Sequence, residues 1–186
     1  MAALEVATSA DGSSTEGHHE CTTTDTLVEF GSTSNSDLYI KQTYHHLHLV
    51  ASARTNRGSG YDTMQFRLND DDTNGNYPFV QMYAYTTSAA YGNNTVQPDG
   101  MISDIAGGNS LANTFGHGEI WVPNFTKSGS YKQVLATGGR SEDSQWYMGW
   151  AATTYMSTSP VTMLTLLGNG GSFVQYSTFT LYGITG

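Results

Sequence analysis

Charge is scarce in this chain. Of its 186 residues 16 are acidic and 7 basic, so charged side chains make up 12% and the formal net charge is -9. Soluble domains carry roughly twice that share. A sparse, net negative charge offers no electrostatic footprint for a DNA or RNA backbone, so no nucleic-acid partner is expected. No apolar run approaches the ~20 residues that span a bilayer as a helix, so no membrane partner is expected either. Met1–Gly12 lacks the basic start and apolar core of a signal peptide, which predicts synthesis and folding in a cytosol. Cysteine is nearly absent. The lone Cys21 cannot close an internal disulfide, which suits assembly under reducing conditions.

Helical periodicity is also missing. No stretch of eleven or more residues places apolar side chains at i, i+3, i+4 and i+7 between caps. The one short candidate is Asn109–Phe115, which predicts one or two 3₁₀-like turns.

Hydroxyl, glycine and aromatic residues take the vacant share. The chain has 25 Thr, 19 Ser, 21 Gly, 12 Tyr, 7 Phe and 3 Trp. Hydrophobic residues at 38% are too many for a disordered chain. They recur in short alternating runs bounded by Gly, Asn, Asp, Ser and Pro. Strands are predicted over Leu27–Phe30, Tyr44–Arg54, Tyr61–Asn69, Phe79–Tyr85, Met101–Ala106, Gly118–Val122, Tyr131–Ala136, Gln145–Ala152, Val161–Leu167 and Thr178–Ile184. Alternation puts Leu47 and Leu49 on one face against His46, His48 and Val50. It likewise separates Met64, Phe66 and Leu68 from Tyr61, Thr63, Gln65 and Arg67. Turns are predicted at Gly58-Ser59-Gly60, Asp72-Thr73-Asn74-Gly75, Gly92-Asn93-Asn94, Gly138-Gly139 and Gly168–Gly171. Nine or ten strands with one apolar face each must close a core between two sheets. The expectation is an all-β chain: one antiparallel β-sandwich, jelly-roll-like, over residues 27–186. Residues 1–26, poor in large apolar side chains, are expected to form an extended N-terminal arm, with Leu4–Ala7 a short strand at most.

Four constellations could carry chemistry. Asp70, Asp72 and Asn74, with Gly75 at position six, match the opening of a calcium loop. Gln81 stands where a bidentate Glu is needed, and a polar hairpin tip explains the same residues. His46 and His48 share a strand face with transition-metal spacing, near His45, but no third ligand converges from sequence. His18-His19-Glu20-Cys21 is rich in ligands yet falls in the arm, and His117 stands apart. A surface or inter-subunit imidazole pair is the preferred reading. Glu119, Glu142 and Asp143 could supply a glycosidase pair, but nothing in the sequence pairs them. No nucleophile elbow is present, so no catalytic residue is assigned. No cofactor is expected. Trp121, Trp146 and Trp150 could stack on sugar rings, but are read first as anchors for an interface or for the core, with Trp146 and Trp150 on one face of an unbroken strand.

Several stretches together resemble a known family. They are Tyr44-His45-His46-Leu47-His48-Leu49-Val50, Phe66-Arg67-Leu68-Asn69 with Asn76-Tyr77, and Gly118-Glu119-Ile120-Trp121-Val122-Pro123-Asn124-Phe125. Lys132-Gln133-Val134, Trp150 after Asp143, and the closing Phe179-Thr180-Leu181-Tyr182-Gly183-Ile184 complete the set. Their order over residues 27–184 resembles small β-sandwich structural proteins of tailed bacteriophages, cyanophages among them. Phe125 stands where that family has a tyrosine, and the Phe-Arg-Leu-Asn strand departs from its Leu-Arg-Phe-Asn. The resemblance implies a non-enzymatic virion component made in the host cytoplasm. With no shaft repeats in the chain, it implies a cement or decoration protein on the outer surface of the head. Such a protein would bind the major capsid protein and itself, as a homotrimer. A tail-fibre domain recognising host polysaccharide is the alternative.

Overall fold

The computed structural model describes residues 2–3, 17–35, 40–94, 96–142 and 145–185. Among them every regular element is a strand: β1 (Ala2–Ala3), β2 (His18–Glu20), β3 (Leu27–Gly31), β4 (His46–Ala53), β5 (Tyr61–Leu68), β6 (Phe79–Tyr85), β7 (Ser88–Asn94), β8 (Gly100–Ala106), β9 (Gly116–Pro123), β10 (Lys132–Glu142), β11 (Gln145–Tyr155), β12 (Met163–Gly168) and β13 (Thr178–Ile184). Two antiparallel sheets stack face to face. The larger runs β1-β13-β4-β9-β10-β11-β6-β7, with β2 also against β13, and the smaller runs β3-β12-β5-β8.

This order is a jelly roll with two insertions. The eight strands β2, β3, β4, β5, β8, β9, β12 and β13 fall into one sheet as first-eighth-third-sixth and into the other as second-seventh-fourth-fifth. The hairpins β6–β7 and β10–β11 are additions. Both join the larger sheet beyond β9 and widen it on one side.

Period-two alternation builds the core. Leu47, Leu49, Ala51 and Ala53 of β4 point inward, as do Met64, Phe66 and Leu68 of β5 and Ile120 and Val122 of β9. The Tyr77 hydroxyl, stacked beneath Tyr155, takes the Leu68 amide at 2.9 Å and donates to the Leu68 carbonyl at 3.2 Å. Gly183 carries the Tyr44 ring, which a Cβ there would meet at 2.5 Å.

The structure corrects three expectations. Gly138-Gly139 is no turn but the middle of β10. Gly138 lies between Gly118 of β9 and Gly149 of β11, and a Cβ on it would stand 2.6 Å from the Ser103 side chain of β8. The glycines let β8 approach the larger sheet closely. Gly92-Asn93-Asn94 also lies within a strand, β7, whose side chains are exposed on both faces in its first half and so show no alternation. Asn109–Phe115 forms turns, not a helix. The Arg54 guanidinium collects the carbonyls of Gly108, Ser110, Leu111 and Thr114 at 2.7–3.3 Å, so a side chain satisfies acceptors that a helical ladder would have used. The part of the arm from Gly17 to Thr26 pairs along the sandwich's own edge. β2 pairs with β13, and His19 and Cys21 are buried. Two buried polar side chains carried no apolar signal. Leu4–Ala7 lies outside the described residues.

Candidate functional site

The three tryptophans and the two histidines singled out from sequence occupy one surface, the outer face of the larger sheet. Directly opposed residues in antiparallel strands share a face, so the register maps it. One row crosses the sheet as Tyr182, His48, Trp121, Leu135, Ala152 and Val80. The next runs Thr180, Val50, Glu119, Thr137, Trp150, Met82 and Tyr91. Two residues further along β11 lies Met148, and two beyond it Trp146.

This face is apolar and open. Val80, Met82, Tyr91, Trp121, Leu135, Trp146, Met148 and Trp150 are all exposed, from 38% for Trp121 to 87% for Tyr91. Seven of the eight belong to the inserted hairpins and the eighth to the neighbouring β9. Strands ~4.8 Å apart and side-chain rows ~7 Å apart give a patch on the order of 400 Å². Exposed apolar patches of that size commonly mark an interaction surface. Within it Trp121, Pro123, Leu135 and Ala152 wall a shallow, almost wholly apolar depression of about 310 Å³.

The histidines border the patch. The His48 ring stacks on Trp121 at 4.4 Å and 15°, with Nε2 3.4 Å from Glu119. The other Glu119 oxygen lies 3.1 Å from His117 Nε2. His46 Nδ1 accepts the Asn124 amide at 3.1 Å. His46 and His48 do share a face, but each is engaged with its own neighbours. Glu119 faces imidazoles, while Asp143 and the Glu142 side chain lie outside the described residues.

The Asp70–Gly75 stretch is organised by Asp71, which was not among the calcium candidates. Its carboxylate accepts the Thr73 amide and the Asn76 side-chain amide, each at 2.9 Å. Burial opposes ionisation of Asp71, yet these donors outweigh it and hold the carboxyl below its usual range. Asp70, Asp72 and Asn74 surround this turn. Among the described residues the one convergence of three metal-ligating side chains lies elsewhere.

A second concavity was not foreseen. Beneath the overhanging β6, on the inner side of the larger sheet, a cleft of about 490 Å³ opens against β5 and β8. Tyr61, Tyr83, Tyr85 and Tyr147 line it with Gln65, Gln81, Gln97 and Asp104. Tyr83 and Tyr147 stack at 5.7 Å, and the buried Gln81 Oε1 has no hydrogen-bond partner. Burial raises the Asp104 carboxyl above its ordinary value, against the Thr63 hydroxyl donated at 2.9 Å and the nearby Arg140 charge. Alternation in Phe79–Tyr85 sets Phe79, Gln81, Tyr83 and Tyr85 on one face against Val80, Met82 and Ala84. Only the tertiary structure sets that face across from Asp104.

No protein-family model matches the chain, and no curated protein matches it in sequence. Among solved structures it is similar to the galectin LEC-6 of Caenorhabditis elegans, at 8% identity and a TM-score of 0.29, over 89% of this chain and 95% of that one. At that level the likeness carries no argument about ligands. The two-sheet architecture rests on the strand pairing itself.

Proposed function

We propose that this chain is a non-catalytic adhesion protein that grips a folded protein partner with the outer face of its larger sheet. The single observation that carries the reading is the clustering of three tryptophans and five further large apolar side chains on that face. Anchors of this kind, seated around an apolar depression, dominate protein interfaces. Around Trp150 three of the four flanking residues, Met82, Met148 and Ala152, are apolar and only Thr137 can hydrogen-bond, a balance that favours a protein partner over a sugar. Together with the motif resemblance, this favours a cement protein of a phage head, with the major capsid protein as partner. Modest contacts repeated by several copies, a homotrimer among the possible arrangements, would add by multivalency and stiffen the shell.

The test is addition of purified protein to heads that lack it, followed by sedimentation and heating. The expected result is co-sedimentation and a higher bursting temperature with the wild type, both lost with Trp121→Ala and Trp150→Ala. Equal heat stability with and without the protein would overturn the reading.

The tyrosine and glutamine cleft favours a second reading, recognition of a host polysaccharide by a tail-fibre domain. Aromatic faces beside amide and carboxylate groups suit a sugar chain. Here Tyr83→Ala, and not Trp150→Ala, would abolish binding on a glycan array, and the free protein would block adsorption of phage to cells.

A further inference from the structure

The first strand of the jelly roll brings together a group that neither reading uses. One ring nitrogen of His19, the Cys21 sulfur and an Asp25 carboxylate oxygen lie within 4.8 Å of one another. His19 is 3% exposed and Cys21 fully buried, while the Asp25 side chain keeps 19% of its surface open. His19 Nε2 sits 2.8 Å from Asp25 Oδ2, and its Nδ1, also buried, has no hydrogen-bond partner.

The frame around these side chains is fixed by backbone pairing. Cys21 and Asp25 are clamped to the segment before β13. The Cys21 amide donates to Ser177, the Tyr176 amide donates to Cys21, and Asp25 exchanges two bonds with Phe173 at 2.8–2.9 Å. His19 lies opposite Phe179, whose ring meets Phe173 edge-on at 4.7 Å. The three side chains therefore converge from a rigid loop against an aromatic wall.

We propose that His19, Cys21 and Asp25 form a binding site for a single borderline divalent transition metal, with zinc the best chemical match. Thiolate, imidazole and carboxylate are the zinc donor types, and three protein donors leave a fourth position for water. The charges also balance: one thiolate and one carboxylate neutralise a dication around a neutral imidazole. The ion would take the place of the direct His19 Nε2–Asp25 Oδ2 contact, lying between the same two atoms and the Cys21 sulfur. Donor atoms around tetrahedral zinc stand about 3.3–3.8 Å apart, so shifts on the order of 1 Å seat the ion. Loading releases the thiol proton, so affinity rises with pH. The partly open Asp25 side gives the ion a way in. Bound there, it would staple the N-terminal strand to the loop before β13.

The experiment uses the full chain, stripped with chelator and kept reduced, titrated with Co(II) and then Zn(II). One equivalent of Co(II) should produce a thiolate-to-metal charge-transfer band in the near ultraviolet, which Zn(II) then bleaches. Zn(II) should raise the melting temperature. Cys21→Ser should lose the band and at least tenfold in affinity. Asp25→Asn, at a partly exposed position, should keep the band but weaken binding, and it serves if the serine variant does not fold. Binding without a thiolate band would place the metal on surface imidazoles and overturn the proposal. An unchanged melting shift in Cys21→Ser would do the same, as would no binding at all.

Discussion

The eight jelly-roll strands and the four inserted strands obey the same period-two rule and put it to opposite uses. In β4, β5, β9 and β13 alternation separates a buried apolar face from a half-exposed polar one. In the middle of β10 and β11 the inward positions are small, Ala136, Gly138, Gly149 and Ala151, and the large apolar side chains Leu135, Trp146, Met148 and Trp150 point out. In β6 the outward side chains are Val80 and Met82, and the inward ones are tyrosines and a glutamine over a cleft. Fold and surface chemistry thus fall largely on different strands, with Trp121 of β9 the jelly-roll member of the exposed set and Val134 and Tyr155 among the inserted strands' share of the core.

Substitutions can break or sharpen that division. The largest effect is expected in the jelly roll. Phe66→Ala removes a fully buried ring packed edge-on to Tyr77 and covering Gly100, and should cost about 3–5 kcal/mol in denaturant unfolding. Gly138→Ala comes next. Its Cβ would clash with the His117 carbonyl of the neighbouring β9 and stand 2.6 Å from the Ser103 side chain of β8, so the strand and the second sheet must both shift, at a cost of roughly 1–3 kcal/mol. Arg54→Ala strips four carbonyls of their donor and should loosen residues 107–115, read as faster proteolysis there with a loss of about 1–2 kcal/mol. Trp150→Ala, on the inserted face, should change stability by no more than about 0.5 kcal/mol while abolishing partner capture. If it instead destabilised the fold as Phe66→Ala does, the division between the two strand sets would fail.

The smallest effect is one of pH. Burial raises the Asp104 carboxyl in the folded state, so the native protein holds this proton more tightly than the unfolded chain. Its contribution is therefore most favourable below the ordinary carboxylate pKa and declines as pH rises through the folded value. Asp104→Asn should be neutral to slightly stabilising at pH 7, and that gain should vanish on acidification. Melting curves at several pH values check it.

The motif resemblance falls almost wholly on the jelly-roll side of this division. Leu47, Leu49, Phe66, Leu68, Tyr77, Ile120, Val122, Phe125, Val134 and Leu181 are all buried. Such motifs report how a sandwich is closed. They say less about what it binds, and the apolar face stands largely outside them.

Local pattern alone determined that the chain is all β, where most strands run, and which residues of a strand share a face. That is because strand alternation and turn chemistry act over a few neighbouring residues. It also placed Trp146 and Trp150 on one side of β11, by parity. Register, a non-local property, decided that Trp121 and Met82 join them, that His19 and Cys21 enter the fold, and that Gly138 permits contact where it looked like a turn. Pairing partners and the approach of a second sheet are set by residues far apart in the chain, and no window along it contains both.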